Sequence, residues 1–168
     1  MVYYSKSEKE TQKIASDLAI KTIKSSTSPS QTRLRRANVV TLEGELGAGK
    51  TTFVKGFAKA LGIKTKIKSP TFVLMKYYPI TYYVLRIKKS IRNPQSVVRK
   101  LYHLDCYRVR DHRDLTTLNL KTMFNSSENI ILIEWPERIK KILPKKLIRV
   151  HIDHINKNKR KISISPRA

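Results

Sequence analysis

One short stretch does more than any other to limit what this chain can fold into. Gly44-Glu45-Leu46-Gly47-Ala48-Gly49-Lys50-Thr51 matches the pattern G-x-x-x-x-G-K-[ST] at every fixed position. The apolar run "NVVTLEG" before it reads as a buried strand, and the residues from Thr51 onward read as a helix with Phe53, Phe57, Ala60 and Leu61 on one side and Gly62 at its C-terminal cap. A strand, a glycine-rich loop and a helix in that order predict an α/β chain of the P-loop NTPase type. Small residues let consecutive backbone N–H groups curl around phosphate oxygens, and the helix N-terminus adds favourable positive potential. The loop from Gly44 through Glu45, Leu46, Gly47, Ala48 and Gly49 would therefore cradle a nucleotide. Lys50 would reach its β and γ phosphates, Thr51 would place its hydroxyl on Mg²⁺, and Thr52 could touch the α-phosphate. The plain alternative is a glycine-rich turn that only joins strand to helix.

A phosphate loop needs an acid to hold Mg²⁺ or to orient the attacking water. "NIILIEW" runs four apolar residues into Glu134, as when a central strand delivers a carboxylate to the top of a sheet. Asp105 ends the strand "KLYHLD" and could reach the same edge, although strand-terminal aspartates are also common turn residues. Trp135 follows Glu134 and would wall the site or serve as a rim aromatic. His103 reads as a hydrogen-bonded structural residue rather than a base.

Elsewhere, Ser7 to Glu10 forms a capping box before a helix with Ile14, Leu18 and Ile23 on one face. "SSTSPSQTRLRRA", residues 25–37, reads as a surface loop. "SPTFVLMKYY" reads as a turn followed by a strand, and residues 79–100 as a long basic hairpin tip or inserted loop. "WPERIKKILP" reads as a short helix or loop. "LIRVHIDHI" and "RKISIS" alternate around "NKNK" as a C-terminal hairpin. These pieces predict a single P-loop domain over residues 1–168, a compact mixed β-sheet flanked by helices.

The chain carries 36 Lys and Arg against 12 Asp and Glu, a formal net charge of +24. Such a field attracts polyanions, tRNA among them, but a lysine-rich solvated surface gives the same count, and composition leaves both readings open. No segment reaches the roughly 18 apolar residues that would span a bilayer, and the N-terminus lacks an apolar signal core. A cytoplasmic location is expected. The single cysteine, Cys106, fits a reducing compartment and reads as a core filler.

With these pieces in order, the chain resembles the bacterial TsaE (YjeE) family, on the set "LEGELGAGKTTF", "SPTFVLMKYY", "YHLDCYR" and "LIEWPERI" followed by the hairpin. The resemblance implies a Mg²⁺-dependent ATPase required for threonylcarbamoylation of the tRNA adenosine next to the anticodon, acting with the TsaD–TsaB transferase pair and slow on its own. It implies that Lys50 and Thr51 bind phosphate and Mg²⁺, that Ser69 and Thr71 belong to a switch loop near the γ-phosphate, and that Asp105 and Glu134 serve metal and hydrolysis beside Trp135. Which acid does which is left open. Tyr107 and Arg108 match the family pattern as structural or partner-facing residues. Residues 25–37 and 79–99 depart from it as insertions between motifs, which cost little in closure entropy when the loop ends stay close.

Two other readings share some of these residues. A small-molecule or nucleotide kinase would use the same loop, but would need an acceptor pocket and leave "SPTF" and "IEWPER" without a role. A basic RNA-binding module with an inert P-loop would show salt-sensitive, nucleotide-independent RNA affinity.

Overall fold

The computed structural model describes residues 1–26, 36–80, 98 and 100–167. Seven strands form one sheet in the order β1-β7-β6-β2-β5-β4-β3. These are β1 (Val2–Ser5), β2 (Asn38–Glu43), β3 (Met75–Pro79), β4 (Lys100–Asp105), β5 (Asn129–Glu134), β6 (Leu147–His154) and β7 (Arg160–Arg167). The central strands β6, β2, β5 and β4 are mutually parallel, and antiparallel partners close both sides: β7 and β1 beyond β6, and β3 beyond β4.

The apolar runs expected to be covered on both faces are covered on both. Every residue of β5 is buried. Val40, Leu42, Ile130 and Leu132 pack on one face with helices α1 (Glu8–Ser26) and α2 (Lys50–Ala60). Val39, Ile131 and Ile133 pack on the other, under a 3-10 helix (His112–Leu118), the short helix α3 (Leu120–Phe124) and a second 3-10 helix (Pro136–Ile142). This is the period-two alternation of a strand between two layers.

α1 begins as expected: the Glu10 N–H donates to Ser7 Oγ at 3.2 Å. The reciprocal bond differs in its donor, because Glu10 Oε2 accepts from the Lys6 N–H at 2.7 Å. α1 and α2 cross at Gly56, where an added Cβ would lie 2.3 Å from the carbonyl oxygen of Gln12. Only a residue without a side chain permits that approach, and Ser16 Oγ donates to the Gly56 carbonyl across it at 2.9 Å.

Several sequence expectations change. α1 runs to Ser26, into the stretch read as a loop from residue 25; residues 27–35 lie outside the described residues. The strand expected throughout "FVLMKYY" begins only at Met75, because Pro70 to Val73 close a turn with Val73 N–H donating to the Pro70 carbonyl at 2.8 Å. Phe72 and Val73, apolar but exposed, gain no burial that would hold them in the sheet. β3 and β4 do pair as a hairpin, while residues 81–97 and 99, the body of the expected insert, lie outside the described residues. β1 was not anticipated: four residues are too few for a periodic signal, and pairing with β7 is what makes them a strand. The C-terminal hairpin forms as read, with β6 and β7 antiparallel.

Candidate functional site

The loop after β2 adopts the conformations its glycines permit. Gly44, Gly47 and Gly49 all have positive φ. Gly44 is further fixed by space, since a Cβ there would meet the Ile152 carbonyl oxygen of β6 at 2.3 Å. α2 starts at Lys50 directly behind the loop, so its first N–H groups face the same hollow.

That hollow is a cavity of about 380 Å³ lined by Leu46, Gly47, Gly49, Lys50, Thr51, Thr52, Ser69, Thr71, Asp105, Tyr107, Glu134 and Trp135. Most of the expected site residues meet here. Gly44 and Glu45 instead face a larger neighbouring groove of about 660 Å³, and Ala48 is buried. The groups suited to phosphate chemistry, the lysine, the threonines and both acids, line the smaller cavity.

Three buried charged side chains, Lys50, Asp105 and Glu134, stand at the C-terminal ends of parallel strands or at the adjoining helix start. Lys50 Nζ donates to the carbonyls of Gly44 at 2.7 Å and Glu45 at 2.8 Å, and lies 4.0 Å from the centre of the Trp135 ring. Burial pushes its ammonium below the ordinary lysine range, against the opposing pull of Glu134, Asp105 and Glu137. An anion entering the cavity would offset that desolvation.

Glu134 is held from two sides. Thr51 Oγ1 donates to its Oε1 at 3.3 Å, and His103 Nε2 lies 2.8 Å from the same oxygen. An ionised carboxylate only accepts, so the histidine donates from Nε2 and carries its proton there. His103 is fully buried and its Nδ1 has no hydrogen-bond partner among the described residues. Sequence reading gave His103 a structural role but did not pair it with Glu134. The parallel register, which sets Asp105 opposite Glu134 and His103 opposite Leu132, is what joins them.

Asp105 is held separately. Its Oδ2 accepts from Ser69 Oγ at 2.6 Å and from Thr71 Oγ1, and its Oδ1 accepts from the Tyr107 N–H at 3.0 Å. The two hydroxyl oxygens lie 2.6 Å apart, each spending its one proton on the acid. The "SPTF" turn is thus tied to the strand-end acid.

Two residues at the rim have left-handed backbone, Leu74 (φ 62) before β3 and Trp135 (φ 59) after β5. Such conformations cost a non-glycine residue about 1 kcal/mol or more and persist where surroundings over-determine them. For Trp135 those surroundings are the Lys50 ammonium, the Tyr107 ring at 5.0 Å and the Leu42 carbonyl that accepts its N–H at 3.3 Å. The turn places the indole over the loop as a wall. Outside it, the Arg108 guanidinium lies 4.4 Å from the ring centre of exposed Phe72.

The cavity fits a nucleotide with Mg²⁺. Its donors to a cation are hard oxygens, the Thr51 hydroxyl and the Glu134 and Asp105 carboxylates, which suit Mg²⁺ completed by phosphate oxygens and water.

In sequence and fold the chain is similar to known proteins. A sequence model of the family described as "Threonylcarbamoyl adenosine biosynthesis protein TsaE" matches residues 5–162. The chain is 36% identical over 128 residues to the tRNA threonylcarbamoyladenosine biosynthesis protein TsaE of Bacillus subtilis, covering 76% of this chain and 69% of that protein. It is 34% identical over 159 residues to the protein of the same name from Rickettsia conorii, covering 94% of this chain and 74% of that protein. The crystal structure of YdiB from Bacillus subtilis superposes with a TM-score of 0.67 at 28% identity, over all of this chain and 86% of that one.

Proposed function

The chain belongs to the TsaE family, and from that membership together with the geometry of its cavity we propose that it hydrolyses ATP in support of tRNA threonylcarbamoylation. The observation that carries the reading is the convergence of Lys50, Thr51, Asp105 and Glu134 on one cavity behind a P-loop. ATP is the substrate, and the products are ADP and phosphate. Mg²⁺, held by Thr51 with Glu134, would neutralise charge on the β and γ phosphates.

The protein's own contribution is positioning and electrostatics. The loop amides and Lys50 bind the phosphates, with Lys50 exchanging the Gly44 and Glu45 carbonyls for phosphate oxygens. Glu134, locked by His103 and adjoining Thr51, serves the metal side of the site. Asp105, free of Thr51 and linked to Ser69 and Thr71, serves the water side: when the hydroxyls turn to the γ-phosphate its Oδ2 becomes available to orient the attacking water. Trp135 and Tyr107 limit solvent entry from the rim. Turnover is slow alone and is completed by the transferase pair, TsaD with TsaB, the partner that family membership suggests. The tRNA is then reached through that pair or through the basic surface.

The test is ATP hydrolysis by the purified protein with and without TsaB–TsaD, beside Lys50→Ala and Glu134→Ala. Stimulation by the pair that disappears in both variants supports the reading. Absence of stimulation, with the pair shown competent using another TsaE protein, refutes the assigned client.

A further inference from the structure

On the face of the sheet opposite α1 and α2, the covering layer stops short of the C-terminal hairpin. The second 3-10 helix packs there with Leu147 at the start of β6. Beyond Leu147 the same face of β6 turns polar, with Arg149, His151 and Asp153 half-buried at every second residue. Between helix and strand lies the groove of about 660 Å³ that adjoins the phosphate loop at Gly44 and Glu45.

The charge of this groove runs against that of the chain. Four of the twelve acids, Glu43, Glu45, Glu137 and Asp153, line it against one lysine and one arginine, in a sequence with three cations for every acid. Two of the four are already engaged: Glu43 Oε1 lies 2.9 Å from Arg149 Nε, and Asp153 Oδ1 lies 2.9 Å from His151 Nε2. The side chains of Glu45 and Glu137 are exposed and have no hydrogen bond or ion pair among the described residues. A second observation is independent of charge. Thr41 lines the groove at only 1% exposure, and its Oγ1 has no hydrogen-bond partner among the described residues. Folded proteins rarely leave a buried hydroxyl so.

We propose that this groove docks an arginine-bearing segment of a partner protein, its guanidinium groups pairing with Glu45 and Glu137 while a donor of the segment meets Thr41 Oγ1. A guanidinium suits the lining better than an ammonium: it offers five N–H donors in a plane that can also stack on an aromatic wall, which Trp135 supplies. Docking there bears on the reaction. Trp135 walls both this groove and the nucleotide cavity, and Gly44 and Glu45, whose carbonyls accept from Lys50, line the groove. Glu137 is one of the acids whose charge acts on the Lys50 ammonium, so a partner's cation beside it offsets a negative charge that otherwise repels phosphate. That the partner is the TsaD–TsaB pair rests on the proposed function; the groove's demand for a cation does not.

The experiment measures by calorimetry the affinity of the whole chain for the TsaD–TsaB pair, with a non-hydrolysable Mg²⁺–ATP analogue present. Glu45→Gln combined with Glu137→Gln should weaken docking about tenfold or more, since charge-assisted pairs are lost. Thr41→Val, which keeps the shape and removes the hydroxyl, should weaken it about threefold. Glu8→Gln combined with Asp17→Asn removes the same charge from exposed positions of α1 on the other face of the sheet, and should stay within about twofold of wild type. Either groove variant docking as tightly as wild type, or an α1 control that loses as much, overturns the inference and leaves the client standing. If wild type does not bind the pair, the assigned client fails, and acetyl-Arg-Arg-Arg-amide decides the inference alone. A saturable change in emission of Trp135, the single tryptophan, that the double glutamine variant lacks then supports it, and no change overturns it. Thermal unfolding confirms that each variant is folded.

Discussion

Glu134 has two jobs that substitution can separate. Among the described residues its Oε1 is the only acceptor that His103 Nε2 finds, and His103 is fully buried with Nδ1 already lacking a partner there. Glu134→Ala removes that acceptor and strands a buried N–H, which costs about 1–3 kcal/mol. The Thr51 hydroxyl is only half-buried and can turn to water, so it adds little. A net loss of about 2 kcal/mol lowers the melting temperature of a chain this size by about 4–8 °C. Glu134→Gln keeps an amide oxygen where Oε1 stands, able to accept from both His103 and Thr51, and removes only the charge. Its melting temperature should stay within about 2 °C of wild type, a change of under about 1 kcal/mol. Hydrolysis should nevertheless fall by about a hundredfold or more, since a neutral amide cannot supply the charge that the metal side requires. Thermal unfolding can be followed through Trp135, the single tryptophan, which adjoins Glu134. Hydrolysis is read as phosphate release in the presence of the transferase pair. Equal destabilisation in the two variants would refute the hydrogen-bond argument, and wild-type turnover in Glu134→Gln would refute the assignment of its charge to the reaction.

Other consequences follow from single contacts. Gly56→Ala drives a Cβ to within 2.3 Å of the Gln12 carbonyl oxygen and 2.4 Å of its Cα, both backbone atoms that cannot swing aside. Overpacking of about 3 kcal/mol should outweigh the roughly 1 kcal/mol that alanine gains in a helix, for a net loss of about 2 kcal/mol in denaturant unfolding; an unchanged midpoint would show that α1 and α2 do not pack at Gly56. Cys106 is buried and its thiol is pushed up to about 12, chiefly by burial, so it stays protonated at neutral pH. A thiol reagent at pH 8 should label it at least about a hundredfold more slowly in the native protein than in denaturant, and rapid native labelling would contradict its place in the core. Lys50 stands 4.0 Å from the Trp135 ring centre, so phosphate that draws it away should change Trp135 emission saturably on addition of Mg²⁺–ADP. Lys50→Met should show no such response, and a full response in that variant would remove Lys50 from the phosphate site.

How much of this site could be read in the chain follows from how local each part is. The P-loop is written in consecutive residues because its shape is set by consecutive glycine-bearing peptides and the helix start behind them. Gly44 to Thr51 therefore identifies itself, and the apolar run into Glu134 is legible for the same reason. The turn before β3 was harder. Phe72 and Val73 look like strand residues by type, but strand preference is largely a preference for burial, and both stay exposed.

The sequence by itself determined a parallel strand–loop–helix core, the glycine-rich loop and the two acids that end neighbouring strands, since each is encoded within a few neighbouring residues by periodicity or by backbone freedom. Tertiary structure alone decided which of these groups touch. His103 meets Glu134 through the register of β4 on β5, Ser69 and Thr71 close on Asp105 across more than thirty residues of chain, and Arg160 arrives at Gly49 from the far side of the sheet. Those contacts depend on strand order and register, quantities fixed by packing of the whole sheet, and a local pattern carries no record of them.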